Sequence, residues 1–558
     1  MLAPVVPRLS HAMKNPLPSR YFAFVFCVLV LLLSLSLLSY GIGWWIVAAI
    51  SAVLVIVGIW DIGQHHTTLR RNYPLLAHFR YFFEAIRPEI RQYLVESDTD
   101  EVPYSRAQRS IVYQRAKNAL DLRPFGTELD VYQPQYEWIN HSLAPAKIAD
   151  HNFRVPIGGK DCTQPYAASV FNISAMSFGA LSANAIRALN EGARRGGFYH
   201  DTGEGSISQY HRENGGDLCW EVGSGYFGCR NDDGSFSEER FSANAGSAQV
   251  KMIEVKLSQG AKPGHGGVLP AAKVSPEIAA ARGVKIGVDC VSPAAHSAFH
   301  TPEELLRFVA RLRVLSGGKP TGFKLAIGHP WEWFGIAKAM LSTGLLPDFI
   351  VVDGGEGGTG AAPMEFTDHV GAPLREALLL IHNTLVGIGL REEIRIGASG
   401  KITSAFDIAR TLALGADWCN AARGFMFALG CIQSQNCHTD RCPTGVATQD
   451  ASRQRALVVP DKATRVMNFH DNTLKALKEL IAASGLNHPS EIGPEHVIRR
   501  VSPTEIRSLA ALYNFLEPGE LISGVPDHAV FKKFWQVARP DTFAPPPDVL
   551  ALRRVKAR

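Results

Sequence analysis

The spacing of hydrophobic and polar positions divides the chain into distinct stretches. From Tyr21 to Trp60 no charged residue occurs, 40 positions in all. A helix needs roughly 20 apolar residues to cross a bilayer, so the stretch predicts two crossings, about 21–40 and 42–60, with the break at Gly41-Ile42-Gly43. Tyr21, Tyr40, Trp44, Trp45 and Trp60 stand at the ends, where interfacial aromatics collect. A signal peptide has an apolar region about half this long or less. Residues 62–165 mix basic and aromatic positions, with helical stretches such as HFRYFFEAIRPEIRQYL. They read as a connector that packs on the main body. Residues 451–558 read as helices, including KATRVMNFHDNTLKALKELIAASG and PTEIRSLAALYNFL, before a Pro-rich tail (APPP, 544–547).

Between these, residues 166–450 carry short apolar runs that end in Gly or a small polar residue and lead into helical patterns. Examples are VFNISAMSFG, VKIGVDC, GFKLAIG, FIVVDGGEGGTG, IRIGASG and WCNAARG. Near-continuous apolar runs mark strands buried on both faces. Strand–helix alternation implies a parallel sheet. The expected fold is α/β, a (β/α)8 TIM-type barrel with functional loops at the strand C-terminal ends, an N-terminal two-helix transmembrane hairpin and a helical C-terminal extension. A doubly wound open sheet is the rival. No GxGxxG follows a strand and opens a helix, and GIGLRE at 387–392 breaks that pattern, which argues against a built-in nicotinamide domain.

Composition changes the picture in three ways. At 558 residues and 46% hydrophobic, the chain has room for a large core and more than one domain. A net charge of +5 without a Lys/Arg block gives no indication of nucleic-acid binding. Nine cysteines are too few for a disulfide scaffold and suit a reducing compartment. Charge also orients the hairpin. Arg8, Lys14 and Arg20 precede it, Arg70, Arg71 and Arg80 follow it, and the turn between has none. Positive flanks stay in the cytoplasm, so residues 1–20 and the body from about residue 62 are expected there, with the protein a multi-pass membrane protein.

Two motifs carry chemistry. Cys431, Cys437 and Cys442 lie in CIQSQNCHTDRCPTGVATQ, a short loop with Pro after the last Cys. Three thiolates so spaced can wrap one iron–sulfur cluster. A zinc site with His438 as fourth ligand, a disulfide pair or buried free thiols remain alternatives. The last two strand ends carry a phosphate signal. IRIGASGKITSAFDIARTLALGAD is a strand, a Gly-containing turn and a helix, and WCNAARGFMFALG repeats that shape. In barrels the loops after strands seven and eight bind phosphate through backbone N–H groups. Gly397, Ser399 and Gly400 permit close backbone approach, and Ala422, Arg423 and Gly424 form the other wall.

Over roughly residues 165–485 the chain resembles the FMN-binding synthase domain of glutamate synthase. The stretches that carry the resemblance, in the family's order, are ISAMSFGALS (173–182), TGEGS (202–206), QGAKPGHGG (259–267) and KVSPEIAAAR (273–282). They continue with VSPAAHSAF (291–299), DGGEGGTGAAP (353–363), HNTLVGIGLR (382–391) and the cysteine run. With its hydrophobic N-terminus the chain is similar to the short, stand-alone members called FMN-binding glutamate synthase family proteins.

The resemblance implies a 3Fe–4S cluster on the three cysteines and FMN inside the barrel. Ala175, Met176 and Ser177 would meet the flavin ring. Lys324 would sit at its N1/O2 side, where a cation stabilises the reduced form. Gly354, Gly355, Gly357 and Gly358 would let backbone pass close to the cofactor. Gln259, Lys262 and Arg282 would bind a 2-oxoglutarate-like keto acid, Arg gripping a carboxylate bidentately and Lys as a point charge. Lys262 and Glu204 would be catalytic. Two departures flank that site: His265 where the family usually has Glu, and Val268 where it has Gln. The expectation includes neither a glutaminase domain nor the family's long C-terminal β-helical domain.

The expected activity is a membrane-anchored oxidoreductase of glutamate synthase type acting on CH–NH2 groups. It reduces the imine of 2-oxoglutarate and ammonia, or an amine, to glutamate. Electrons come from an external donor, ferredoxin or a separate reductase subunit. The alternatives are another keto acid or amine, such as N-substituted glutamate synthesis, or a non-catalytic membrane electron-transfer subunit.

Overall fold

The computed structural model of the chain describes residues 19–64, 66–97, 103–524, 526–547 and 549. The expected cytoplasmic N-terminal segment lies outside them up to residue 18. The chain forms two units, residues 1–97 and 98–558. Their division falls inside the 62–165 segment that reads as one connector.

In the first unit, α1 (Phe22–Ser36) and α2 (Ile42–Gly63) pack together as a hairpin. The 22 residues of α2 cover about 33 Å at ~1.5 Å per residue, enough for the roughly 30 Å hydrocarbon core of a bilayer. The 15 residues of α1 cover about 22 Å and are too few alone. The stretch expected to run to residue 40 tightens at Leu38–Tyr40 into a 3-10 turn. Gly41 follows with φ 149°, which only glycine takes readily. Gly58 permits the helix contact, because a Cβ there would lie 2.2 Å from the Phe24 ring. The packing is inverted relative to a water-soluble pair. Ala48, Ser51 and Gly58 are buried, while Ile42, Ile50, Ile56 and Trp60 are exposed.

In the second unit eight parallel strands close into a barrel in chain order. They are β1 (Phe171–Ile173), β2 (His200–Asp201), β3 (Leu218–Val222), β4 (Val250–Lys256), β5 (Thr321–Leu325), β6 (Phe349–Asp353), β7 (Arg395–Ser399) and β8 (Trp418–Ala421). β8 pairs back with β1 through Cys419–Phe171 to Ala421–Ile173. β3 and β5 are buried at every position, as expected of strands covered on both faces. Helices follow every strand, among them Ala183–Gly196, Pro302–Leu315, Pro330–Thr343, Leu374–Gly387 and Ala405–Ala413. Local signals set their ends. Ser182 accepts a bond from Ala185 N–H at one end of its helix, and Gly197 takes φ 68° at the other. Ser404 and Asp407 form a capping box.

Two stretches differ from expectation. VKIGVDC is not a barrel strand. It lies in a long excursion after β4, where Ile286 and Val288 are exposed and only Cys290–Val291 pairs, with Val268–Leu269. Gly283 and Gly287, both left-handed, turn the chain just before the run and at its middle. The second is PTEIRSLAALYNFL. Val497–Ser502 and Glu505–Ser508 form a hairpin, leaving one helical turn at Leu509–Leu512. That hairpin joins Glu137–Ile139 in a three-stranded sheet. The buried Glu137 carboxylate pairs with Arg375 at 3.1 Å, Arg410 at 3.0 Å and Arg499 at 2.6 Å, tying the sheet to two barrel helices.

Candidate functional site

The loops at the strand C-terminal ends of the barrel converge. Gly203, after β2, has φ 64° and passes so near the loop after β1 that a Cβ would lie 2.7 Å from Ser177 N. This brings Glu204 beside Ser177. The excursion after β4 closes over the same point. A Cβ on Gly267 would strike Glu204 Oε1 at 2.0 Å, and one on Gly205 would lie 3.0 Å from the Arg282 guanidinium. Glu204, Lys262 and Arg282, far apart in sequence, therefore share one buried site. Gln259 joins them through Lys256, the last residue of β4, whose ammonium bonds Gln259 Oε1 at 2.8 Å and Glu204 Oε2 at 3.1 Å. Sequence reasoning missed Lys256; its one signal was its place at a strand C-terminal end.

Electrostatics distinguish these charges. Burial works to raise the Glu204 carboxyl, but Lys256, with Arg282 and Lys262, outweighs it and holds the group below the usual carboxylate range. Burial lowers the Lys262 ammonium, offset in part by Glu204. Lys262 is 4% exposed, yet among the described residues no carboxylate oxygen lies within 4.0 Å of its ammonium. Arg282 is equally buried. It donates to Phe178 O at 3.1 Å, lies 5.2 Å from the centre of the Phe227 ring, and keeps its Nε–H without a partner. A buried cation without a partner is costly, so the pair suits an anionic ligand. His265 is half-buried against the Phe366 ring at 5.3 Å and bonds Gly266 O, while Val268 is in the short strand pair of the excursion.

Deeper in the barrel, Lys324 on β5 ion-pairs with Glu221 on β3 and, at 3.0 Å, with Glu254 on β4. Burial works against its charge, yet Glu221 and Glu254 hold the ammonium well above its usual value. Burial, aided by Glu254, pushes Asp201 well above the carboxylate range. Burial also pushes Glu254 up to about 7, against the opposing charge of Lys324. A pH dependence follows. Between about pH 4.5 and 7 the folded chain keeps on Glu254 a proton that the unfolded chain has lost, so stability falls as pH rises through that window. Glu254→Gln removes the titration. Its melting temperature should fall less than that of wild type between pH 5 and pH 8, by on the order of 2 °C, as differential scanning fluorimetry would show. Parallel curves would refute the assignment.

The residues expected to cradle FMN line the ends of β1 and β6–β8. Asp353, at the end of β6, accepts from Gly260 N–H at 2.8 Å and from Ser399 Oγ at 2.6 Å. Gly354 admits the approach of Gly260, whose Cβ would lie 1.8 Å from Gly354 O. Gly355 and Gly357 are hemmed by backbone oxygens, and Gly358 lies under the Arg423 guanidinium, 2.7 Å from where its Cβ would be. Arg423 donates to Glu356 O at 3.0 Å and covers the Tyr104 ring at 4.7 Å. It begins the helix Arg423–Leu429, just after Ala422 at the end of β8. At two of the expected glycines a Cβ would meet packed neighbours. Gly397 lies under the Trp418 ring, and Gly424 against Ile402 O and Phe469. Ala175 and Met176 lie in the loop after β1, and Gly400 follows β7. The half-buried Arg423 guanidinium after β8 fits an anionic phosphate, and buried Lys324 fits the electron-rich side of a reduced ring.

The cysteine loop starts where Gly430 ends the helix Arg423–Leu429. Three non-glycine residues in it, Gln433, Gln435 and Asp440, take φ values of 58°, 58° and 62°, so the loop is tightly curled. Its carbonyls are anchored from outside. Tyr113 donates to Cys431 O at 2.6 Å, and Lys273 to Cys437 O at 2.8 Å and Ala447 O at 3.1 Å. Burial pushes the Cys431 thiol up to about 12, and Cys437 and Cys442 add to this as neighbouring negative charges. Cys442 differs. Burial acts to raise it, but the Thr444 hydroxyl and the N–H groups of Ala447, Thr444 and Val446 outweigh that and lower it. Three mutually sensed thiols in a nest of N–H donors fit an iron–sulfur cluster. His438 is exposed.

The family model described as "Conserved region in glutamate synthase" matches residues 134–487. The chain is 38% identical over 499 residues to the glutamate synthase large subunit-like protein YerD of Bacillus subtilis (strain 168), covering 81% of this chain and 94% of that one. It is 36% identical over 315 residues to the archaeal-type glutamate synthase (NADPH) of Thermotoga neapolitana, covering 56% of this chain and 59% of that relative. Among solved structures, a double mutant of flavocytochrome b2 with pyruvate bound aligns over 84% of this chain and 93% of its own at 12% identity and a TM-score of 0.40.

Proposed function

The chain belongs to the glutamate synthase family, and from that premise we propose that it is a membrane-anchored, FMN- and 3Fe–4S-dependent oxidoreductase that makes glutamate from 2-oxoglutarate and ammonia. Ammonia condenses with the keto carbon, losing water, and the imine takes up two electrons and two protons. When bound, FMN supplies hydride chemistry to the imine carbon, and the cluster supplies single electrons from an external donor. The chain's own residues bind, orient and move protons. Lys262 and Arg282 hold the two carboxylates. Lys262, its ammonium destabilised by burial, also provides a proton as water leaves. Glu204, kept ionised by Lys256, accepts from the N–H groups of the incoming ammonia. Gln259, held by Lys256, faces the same ligand through its amide. Residues at the ends of β1 and β6–β8 hold FMN, Arg423 taking the phosphate, and Cys431, Cys437 and Cys442 hold the cluster.

The observation that carries this reading is the pair of buried, under-partnered cations, Lys262 and Arg282, facing an ionised Glu204. A subunit that only relays electrons has no use for them. A second reading, a different keto acid or an amine in place of ammonia, is favoured by His265 packed on Phe366 at the rim. Anchoring is supported by the outward-facing large apolar side chains of α1 and α2 and the small residues between them, with the basic flanks placing the body in the cytoplasm.

The test is anaerobic purification, reduction, and mixing with 2-oxoglutarate and ammonium while flavin absorbance and glutamate are followed. Reoxidation with equimolar glutamate is expected. Reoxidation only with another keto acid or amine selects the second reading. Loaded enzyme that no keto acid reoxidises is an electron-transfer subunit.

A further inference from the structure

The helix Leu76–Ile90, which runs into a π-helical turn at Arg91–Val95, exposes the face that a water-soluble connector would bury. Phe79, Phe82, Phe83, Ile86, Ile90 and Tyr93 recur at helical spacing on one side. Phe79 is 64%, Phe82 56%, Phe83 57% and Tyr93 60% exposed. The buried side is elsewhere, at Ala77. Arg80, Arg87 and Arg91 lie along the polar border. Over residues 68–95 five arginines stand against two glutamates, Glu84 and Glu89.

The start of this helix is fixed at the end of α2. Asp61, fully buried one residue past Trp60, accepts from Leu75 N–H at 3.1 Å and pairs with His78 Nε2 at 2.8 Å. Leu75 takes φ 67° to make that turn, a conformation L residues rarely adopt. The aromatic face therefore begins at the level where the uncharged stretch of α2 stops. We propose that Leu76–Val95 is an interfacial helix, its Phe79–Phe82–Phe83 face seated at the headgroup–acyl boundary of an anionic bilayer with Arg80, Arg87 and Arg91 on the lipid phosphates. Amphipathic segments with aromatic and basic faces bind membranes in this way, and clustered arginines favour anionic lipid. A second copy or a folded partner would also cover an apolar face. Lipid is favoured by the arginine border and by the clamp to α2. The proposal rests on the membrane reading of α1 and α2.

The test uses the full chain in nanodiscs with and without phosphatidylglycerol, containing a phospholipid that carries a diazirine close to its glycerol backbone. After photolysis, labelled peptides are mapped. Labelling of both residues 22–63 and residues 76–95 is expected. In Phe82→Glu/Phe83→Glu the 76–95 labelling should fall roughly fivefold while that of 22–63 is unchanged, and omitting phosphatidylglycerol should lower the 76–95 signal alone. Labelling of 22–63 only overturns the interfacial helix and leaves the anchor standing. Labelling of 76–95 only overturns the anchor. No labelling of either overturns both, and a 76–95 signal that ignores lipid charge or the double substitution overturns the proposed contact. Labelling of 76–95 by cross-linker from a second copy, in place of lipid, assigns the face to an oligomer interface.

Discussion

Cys437→Ser is expected to purify with most of its iron gone and the broad visible absorbance of a cluster lost, while FMN is largely retained. Electron delivery from an external donor should fall to background. Cys437 is the middle cysteine of the three and is held between two anchors, Lys273 on its own carbonyl and Tyr113 on that of Cys431. Its carbonyl is fixed, so the side chain has little freedom to let a more distant donor replace it. A serine hydroxyl is a harder and far weaker acid than a thiol, and iron–sulfur clusters are held by thiolates. The curled backbone adds to the effect. Three left-handed non-glycine residues cost on the order of 1 kcal/mol each, and a bound cluster offsets that cost. The variant loop should therefore also become more sensitive to protease. Reduced-flavin turnover with dithionite as artificial reductant should persist, because most of the residues that would hold the flavin lie on other strands and Arg423 precedes the cysteine loop by a helix. Wild-type protein that carries zinc and no iron after anaerobic preparation would sink the cluster assignment.

The barrel was legible in the sequence where its strands are apolar, and obscure where they carry charge. β5, β6, β7 and β8 stand out as runs such as GFKL and FIVVD. β2, β3 and β4 do not, because His200, Asp201, Glu221, Glu254 and Lys256 interrupt them. Most of those interruptions face one another inside the barrel and at its C-terminal end. Asp201, Glu221 and Glu254 surround Lys324, and Lys256 anchors Glu204 and Gln259. A charge within a strand reads as a solvated face until barrel closure puts it inside. VKIGVDC is the opposite case, an apolar run with no strand beside it in the barrel. The segment 503–516 has helical spacing, but its Glu505–Ser508 pairs antiparallel with Val497–Ser502, which itself pairs with Glu137–Ile139, so tertiary pairing overrides propensity. In the candidate site, Glu204, Lys262 and Arg282 were identified from their motifs. That they share one site depends on Gly203, Gly205 and Gly267, whose missing Cβ atoms admit the close approaches. Lys256 lies in none of the quoted motifs, and Lys273 opens KVSPEIAAAR with no role attached to it; a lone lysine is usually a surface residue.

Arg282→Ala should weaken keto-acid binding on the order of ten- to a hundredfold, with flavin and iron content unchanged. In the proposed reading the guanidinium is the bidentate donor to one carboxylate. Its Nε–H is buried without a partner, and its hydrogen bonds are to the Phe178 carbonyl and, weakly, to Ser177 Oγ and Cys290 Sγ, with the Phe227 ring 5.2 Å away. A carboxylate placed there gains charge-assisted bonds worth about 1.5–3 kcal/mol each. Losing one or more accounts for the expected range. Arg282→Lys tests the geometry, since an ammonium keeps the charge but loses the fork, and it should lie between alanine and wild type. The loss should appear in the concentration of 2-oxoglutarate needed for half-maximal flavin reoxidation, because the group binds ground state and transition state alike. Lys262→Met should act in the same direction and also slow the reaction at saturation if Lys262 supplies a proton. With Arg282 gone, Glu204 loses one of the cations that hold it ionised, while Lys256 at 3.1 Å remains, so any shift in the pH profile should be small. If wild type responds to 2-oxoglutarate and Arg282→Ala is indistinguishable from it, the carboxylate site lies elsewhere. If neither responds but another keto acid works, the two cations still bind a carboxylate, and the rim residue His265 becomes the residue to exchange.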